Sequence, residues 1–458
     1  MIPFGLLGVF CDHLEIRITG LSKEGFSFRV PEKIEKAACL EICFFDFSAD
    51  CYRKVQLAEK EREMKLTEET PFFFIYSVWT KNGEYREQVK RLVTDYDNYI
   101  SLKLAGDDAY LSEKMVGYPA ELDEVYAESF EEQKKEWFSC VGDGIQECRN
   151  TWEHKKWNIT DFPEFELAIT IDRPELYYDF LQKDWTRFCH DYWKNNFLEH
   201  HTLSQKRVTR IYIGNQFCHN LFPRKKLLFQ VLEKALENNL AVTLAFSYIR
   251  NHLLEEIDEL LQELEVWCQS REKEAGKDQE EIIVNDWAMP ILLQGKPHLK
   301  PVLGVLLNKR RKDVRLPYKH GIGNHVDSLA ENNLNCGFYQ DYLKNTFDIQ
   351  RFEFESCEYK VTIPDGHHSL HLPFFQTNTS QYCTLYAVCR YGDRGKQKLP
   401  ENCPRYCNKK VFLYPKHLKM VGRYNSLFGY DEKILWDEKQ LQDYLEQGID
   451  RIVVNVSL

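Results

Sequence analysis

The chain has 458 residues, 43% of them hydrophobic and 14% aromatic, with a net charge of −11. That length calls for two or three domains, and the apolar content excludes a disordered chain. The charge gives no general attraction to phosphate backbones, and no apolar run is long enough to make a bilayer-spanning helix. Met1 to Phe10 lacks the basic start of a secretory signal, and fifteen cysteines, an odd number, argue against a disulfide framework. The expectation is a cytoplasmic chain with reduced thiols and no membrane partner.

From Glu15 to Val30, apolar Ile16 and Ile18, then Phe26, Phe28 and Val30, alternate with polar residues around Gly20-Leu21-Ser22-Lys23-Glu24-Gly25. This spacing predicts two strands joined by a turn. Strand-like runs follow at Leu40 to Phe47, Phe72 to Trp79 and Tyr99 to Leu104, so residues 1–120 are expected to form a small β-barrel. The Ser-x-x-Gly turn, Ser22 and Gly25, followed by a strand beginning at Phe26, resembles a PilZ domain. That family is a six-stranded barrel, and many of its members bind cyclic di-GMP. Gly20 stands where the family motif opens with Asp or Asn, and Arg17 alone replaces the Arg-x-x-x-Arg pair whose guanidinium groups clamp phosphate. The resemblance thus implies a degenerate domain that docks or dimerises, with cyclic di-GMP binding not expected.

Residues 121–160 carry Val125, Phe130, Trp137 and Phe138 at helical spacing and read as a helical connector, with Cys140 and Cys148 as ordinary thiols. After Pro163, strands and helices alternate. Strands are expected at Phe165 to Thr170, Arg210 to Gly214, Ala241 to Phe246 and Glu281 to Asn285. Helices are expected at Tyr177 to Phe197, Lys226 to Leu240 and Leu253 to Gln269. The pattern predicts a parallel sheet and an α/β barrel-like domain over 161–458. Such barrels build their sites at the C-terminal ends of strands, which makes Asn215, Asn285 and Asp286 the candidate catalytic residues. Capping of the following helices explains any one of them equally well. Further along come a helix at Gln340 to Phe347, a strand at Arg351 to Glu355 and a closing strand over Asp450 to Leu458. His367-His368-Ser369-Leu370-His371 lacks the Glu of a metalloprotease helix, and its flanking Pro364, Gly366 and Pro373 make it loop and strand. Those histidines are read as surface or substrate-facing groups.

Cys383, Cys389, Cys403 and Cys407 form a Cys-x5-Cys-x13-Cys-x3-Cys segment that a shared metal gathers at small cost in chain entropy. Structural zinc usually clasps two tight Cys pairs, and here only Cys403 and Cys407 are tightly paired. Uneven spacing, with Pro404 holding the chain extended beside a ligand, suits an iron–sulfur cluster at least as well. Zinc is the alternative metal.

From about residue 163 onward the chain resembles the collagenase-like peptidase family of undefined catalytic type, which includes proteins of oxygen-independent ubiquinone and RNA hydroxylation. Three motifs carry the resemblance: Tyr212-Ile213-Gly214-Asn215, Val284-Asn285-Asp286-Trp287-Ala288, and Leu303-Gly304-x-Leu306-Leu307-Asn308-Lys309-x-Arg311. The cysteine segment follows in the order expected. The resemblance implies a modified α/β barrel holding a 4Fe–4S cluster on Cys383, Cys389, Cys403 and Cys407, with Cys336 or Cys357 as a substitute for Cys383. It also implies an enzyme or enzyme subunit of the hydroxylation kind, working with an unknown substrate and with a protein partner or a second copy. The rival readings are a zinc-stapled interaction protein without catalysis and a peptidase. No Gly-x-Ser-x-Gly elbow or His-Glu-x-x-His motif supplies hydrolytic machinery.

Overall fold

Alternation of apolar and polar side chains carries the start of the chain into an antiparallel sheet in the computed structural model. The structure describes residues 6–12, 14–34, 39–46, 48–49, 51–71, 73–105, 125–126, 134–135, 137–138, 162–275, 280–310, 312, 330–393, 395–396, 398–400, 402–413 and 419–456. Two units divide the chain, one built mainly on residues 1–123, the other on 124–312, 331–413 and 419–458.

The first unit holds β1 (Leu7–Cys11), β2 (Leu14–Ser22), β3 (Gly25–Val30), β4 (Leu40–Asp46), β5 (Cys51–Leu57), β6 (Arg62–Glu69) and β7 (Phe74–Thr80). They pair in the order β5-β4-β1-β2-β3-β7-β6, every pair antiparallel, as a half-barrel sheet. Phe28 stacks on Tyr76, and Phe26 and Phe44 both contact the ring of Tyr85, which forms the core. Gly25 of the Ser-x-x-Gly turn sits where a Cβ would fall 1.9 Å from the Val78 carbonyl oxygen, so close passage of β7 by itself requires glycine there.

Tyr99 to Leu104, expected as a strand, is instead the end of a 23-residue helix, Gly83–Ala105. Its buried Tyr85, Val89, Leu92 and Tyr99 recur at helical spacing over a longer window than the local alternation that suggested a strand. Tyr85 Oη anchors the helix by donating to the Ser22 carbonyl at 2.9 Å.

The second unit contains β8 (Val125–Tyr126), β9 (Glu166–Ile171), β10 (Arg210–Gly214), β11 (Ala241–Ala245), β12 (Glu280–Val284), β13 (Leu299–Leu303), β14 (Glu353–Glu355), β15 (His368–Leu372), β16 (Phe374–Thr379), β17 (Val411–Leu413), β18 (Met420–Arg423), β19 (Ser426–Tyr430) and β20 (Ile449–Val454). Eight of these form a parallel sheet in the order β13-β12-β11-β10-β9-β20-β15-β14. An isolated parallel bridge between Leu303 and Phe352 links its two ends. The strands thus follow one another in chain order around a nearly closed barrel. The helical stretch expected from Tyr177 to Phe197 is two helices, Pro174–Gln182 and Trp185–Asn195. Asp184 breaks it by capping the second, accepting from Arg187 N at 2.9 Å.

Between β15 and β20 the chain leaves the barrel and builds four antiparallel strands, which β8 from earlier in the chain completes as a five-stranded sheet, β16-β19-β18-β17-β8. The cysteine segment lies between β16 and β17. Val125 pairs in this sheet opposite Phe412, a correction to the helical connector. Its spacing with Phe130 looked helical, but a strand pairing far along the chain decided its backbone. Lys134–Lys135 and Trp137–Phe138 are helical; Phe130, Cys140 and Cys148 lie outside the described residues. Trp137 stacks on Tyr430 at 5.1 Å. No helix among the described residues is long and apolar enough to cross a membrane.

Asp431, at the end of β19, is completely buried. Burial, reinforced by Glu358, pushes its carboxyl up to about 7. The unfolded chain releases that proton near about 3.9. Proton retention therefore stabilises the fold fully below the unfolded value, and the contribution is lost as pH rises through about 7. Asp431→Asn should raise the thermal midpoint by an amount that grows from about pH 4 to its full size above about 7, and leave it unchanged in acid below the unfolded value. A pH-independent difference in melting scans would contradict this account.

Candidate functional site

Three of the four expected thiols converge. Cys383 caps the helix Thr384–Tyr391: its Sγ accepts from Tyr386 N at 3.3 Å and donates to the Tyr424 carbonyl at 2.9 Å. Cys407 lies in the 3-10 turn Tyr406–Asn408, entered through Arg405 at φ 55°. Cys383, Cys403 and Cys407 line one small cavity, and the fourth thiol in its wall is Cys218. Cys389 is not in that wall. Six residues beyond the cap, it projects from another side of the helix and feels Lys410. Cys336 is exposed, and Cys357 is buried against Arg310 at 2.9 Å, so neither stands in for Cys383 at the cavity.

Cys218 is the residue that spacing within the cysteine segment did not reveal, although it follows the Tyr212-Ile213-Gly214-Asn215 motif by three residues. Asn215 explains its position. Asn215 Oδ1 accepts from both Phe217 N and Cys218 N at 2.9 Å, and its Nδ2 donates to the Asp172 carbonyl at 3.3 Å. The turn leaving β10 thus presents Cys218 to the cavity. Every pair among Cys218, Cys383, Cys403 and Cys407 is close enough to interact electrostatically. Burial pushes the Cys218 thiol up to about 11 and Cys407 up to about 12, with Cys383 raised further, and the neighbouring thiols add to each shift.

Two donors at the cavity have nothing to donate to. Arg250 Nε and Tyr424 Oη are buried without a hydrogen-bond partner, and both residues line the cavity. Arg423 adds positive charge beside Cys407, donating from Nε to the Cys407 carbonyl at 3.0 Å. Among the described residues, no three His, Cys, Asp or Glu side chains stand closely enough to hold a single metal ion.

The other two candidate catalytic residues lie where strand-end logic put them, at the C-terminal end of β12, with their side chains engaged by main chain. Asn285 Nδ2 donates to the Phe246 carbonyl at 2.7 Å and to Gln216 Oε1 at 3.4 Å, while its Oδ1 accepts from Leu306 N at 3.1 Å. Asp286 Oδ1 accepts from Ala288 N and Met289 N, and Oδ2 from Ile249 N. Together they tie the turns after β11, β12 and β13. Gly304 makes this possible, because a Cβ there would fall 2.1 Å from Asn285 Oδ1. Gly304→Ala should displace the Asn285 amide and cost about 1–3 kcal/mol through the buried groups it leaves unpaired. Denaturant unfolding measures it, and a loss below a few tenths would rule the staple out.

A buried polar chain fills the barrel, built from charged residues embedded in otherwise apolar strands. His371 Nε2 lies 2.5 Å from Glu353 Oε2 and 3.5 Å from Gln216 Nε2, and Tyr212 Oη donates to Glu353 at 3.1 Å. Arg451 donates to Tyr212 Oη at 3.2 Å, to Glu281 at 2.6 and 3.0 Å and to Glu166 at 2.6 Å. Arg210 joins Glu166 and Glu281 from the far side. Burial alone would raise Glu281, but Arg210, Arg451 and Arg351 outweigh it and hold the carboxyl down at about 2. The signal available in sequence was a Glu or Arg at period two within a strand, as in Glu281, Arg210 and Arg451. The three clustered histidines separate: His367 is exposed beside Asp450, His368 is buried against Phe352, and His371 enters the chain just described.

No family model matches the chain, and no curated protein or solved structure matches it either.

Proposed function

We propose that this chain is an iron–sulfur protein that holds a 4Fe–4S cluster on Cys218, Cys383, Cys403 and Cys407. In the manner of the collagenase-like peptidase family it resembles, it would act as an enzyme or enzyme subunit in oxygen-independent hydroxylation or a related modification. The observation that carries the reading is the meeting of four thiols at one cavity, three from a short segment and one from the loop after β10. Zinc in a tetrahedral thiolate site has Zn–S distances of about 2.3 Å, which demands sulfurs about 3.8 Å apart. A cluster, by contrast, spreads its thiolates over separate irons. The unpartnered Arg250 Nε and Tyr424 Oη favour an acceptor-rich, anionic guest, as a thiolate-ligated cluster is.

When bound, such a cluster supplies one-electron chemistry or an iron that acts as a Lewis acid. The chain's own residues do the rest. Asn215 fixes the turn that presents Cys218; Arg250 and Tyr424 line the cavity with unpartnered donors that could serve an anionic guest, and Arg423 beside Cys407 would offset negative charge there. On the same reading the first unit is a degenerate PilZ-like domain used for docking or dimerisation, with Arg17 alone in place of the family's arginine pair. Protein purified without oxygen should contain about four iron and four acid-labile sulfide per chain. One zinc per chain without sulfide would overturn the proposal.

A further inference from the structure

The segment that supplies three of the thiols is cationic in a chain that is anionic. Between Cys383 and Leu413 the sequence holds seven Lys and Arg against two Asp and Glu, while the whole chain carries −11. Arg390, Lys396, Lys398 and Lys409 are exposed there, with Arg405 and Lys410 half-buried. Exposed apolar side chains stand among them: Tyr382, Tyr391 and Leu399. Tyr386 contacts the rings of both Tyr391 and Tyr406, at 6.0 and 6.3 Å, which joins the helix Thr384–Tyr391 to the turn Tyr406–Asn408 as one face. Among the described residues of this segment the one carboxylate is Asp393, and the neighbouring Glu175 accepts from Asn408 at 2.6 Å.

We propose that this face docks an acidic one-electron carrier protein that reduces the cluster beneath it. The inference rests on the cluster reading. Electron transfer weakens steeply with distance, so a carrier must seat close to the centre, and the segment that brings Cys383, Cys403 and Cys407 to the cavity also carries these exposed cations. Opposite charge speeds encounter by roughly 10–1,000-fold at low salt, and the field reaches about one Debye length, 8–10 Å. A few cations around exposed aromatic and aliphatic groups match the small interfaces of redox encounters, under about 1,200 Å². A nucleic acid would find only this limited set of cations for its phosphates and would meet the repulsion of the remaining chain. In the step itself the reduced carrier loses one electron and the cluster gains it, with no bond made or broken.

The test is rapid-mixing reduction of the cluster-loaded full chain by a photoreduced acidic [2Fe–2S] ferredoxin, beside reduction by the uncharged deazaflavin radical. Arg390→Glu, Lys396→Glu, Lys398→Glu and Lys409→Glu, combined, should slow the ferredoxin reaction at least tenfold and flatten its dependence on salt. The deazaflavin rate and the iron and sulfide content should stay at wild-type values. Equal ferredoxin rates in wild type and variant, or a wild-type rate indifferent to salt, would overturn the docking surface while leaving the cluster in place. Single-stranded RNA that binds this face while ferredoxin does not would also overturn it. Wild-type protein lacking iron and sulfide defeats the cluster reading and this inference together.

Discussion

Cys218→Ser should abolish retention of iron and sulfide, whereas Cys389→Ser should leave both at wild-type content. The contrast follows from placement. Cys218 reaches the cavity from the turn after β10 and interacts with each of Cys383, Cys403 and Cys407; Cys389 is aimed elsewhere. A thiol raised to about 11 stays protonated at neutral pH unless a cation draws off its proton, so on the proposed reading the ligand set and the metal would depend on each other. On the proposed cluster reading, removing one ligand would leave an iron without a protein thiolate and expose the cluster to loss. Cys403→Ser and Cys407→Ser should behave like Cys218→Ser. Asn215→Ala, which frees the turn holding Cys218, should weaken retention by roughly 10–100-fold without abolishing it. Anaerobic iron and sulfide analysis with visible absorbance decides the matter. A Cys218→Ser protein that keeps its cluster while Cys389→Ser loses it would return the ligand set to the one expected from spacing within the segment.

Arg451→Met should destabilise the second unit by about 3–5 kcal/mol, the cost of breaking a buried ion pair by removing one partner. Arg451 is 3% exposed and contacts Glu281, Glu166 and Tyr212, so its loss leaves two carboxylates under-compensated inside the barrel. The pair also has an acid signature. Glu281 sits at about 2 when folded and near about 4.3 when unfolded, so its ionised form stabilises the fold above the unfolded value. That contribution, about 3 kcal/mol by the size of the shift, is lost as pH falls through about 2. In Arg451→Met the acid limb of the stability profile should move to higher pH, because one of the charges holding Glu281 down is gone. Pairing Arg451→Met with Glu281→Leu should restore part of the stability, since replacing both partners by apolar groups removes the stranded charge. Urea unfolding from about pH 2 to neutrality, which spans the folded and unfolded values of Glu281, measures all three chains. An unchanged acid limb in Arg451→Met would show that Arg210 and Arg351 suffice for Glu281.

Much of the architecture was legible because it is local. Strand and helix alternation after Pro163 prescribed a parallel sheet, and the eight strands do run parallel in chain order around the barrel. Misreadings came where distant contacts outweigh local pattern. Tyr99 to Leu104 alternates like a strand, yet it continues the helix of Tyr85, Val89 and Leu92, whose buried side reaches Tyr99 and leaves Ile100 and Leu104 exposed. Val125 matched a helical spacing, yet a pairing with Phe412 makes it a strand residue. Asn215, Asn285 and Asp286 were found at strand ends by a rule of barrels, but the rule is silent on what each side chain bonds.

By itself the sequence determined the alternation that makes the barrel, and it placed three of the cavity's thiols within one short segment, where loop closure is cheap. Only the tertiary structure decided which sulfur completes the set, which carboxylates and arginines meet in the barrel's interior, and that Cys389 turns aside. Cys218 and Cys383 are more than 150 residues apart, and no local periodicity relates them. They become neighbours because the turn after β10 and the antiparallel sheet following β15 are carried to one place by the winding of the strands between.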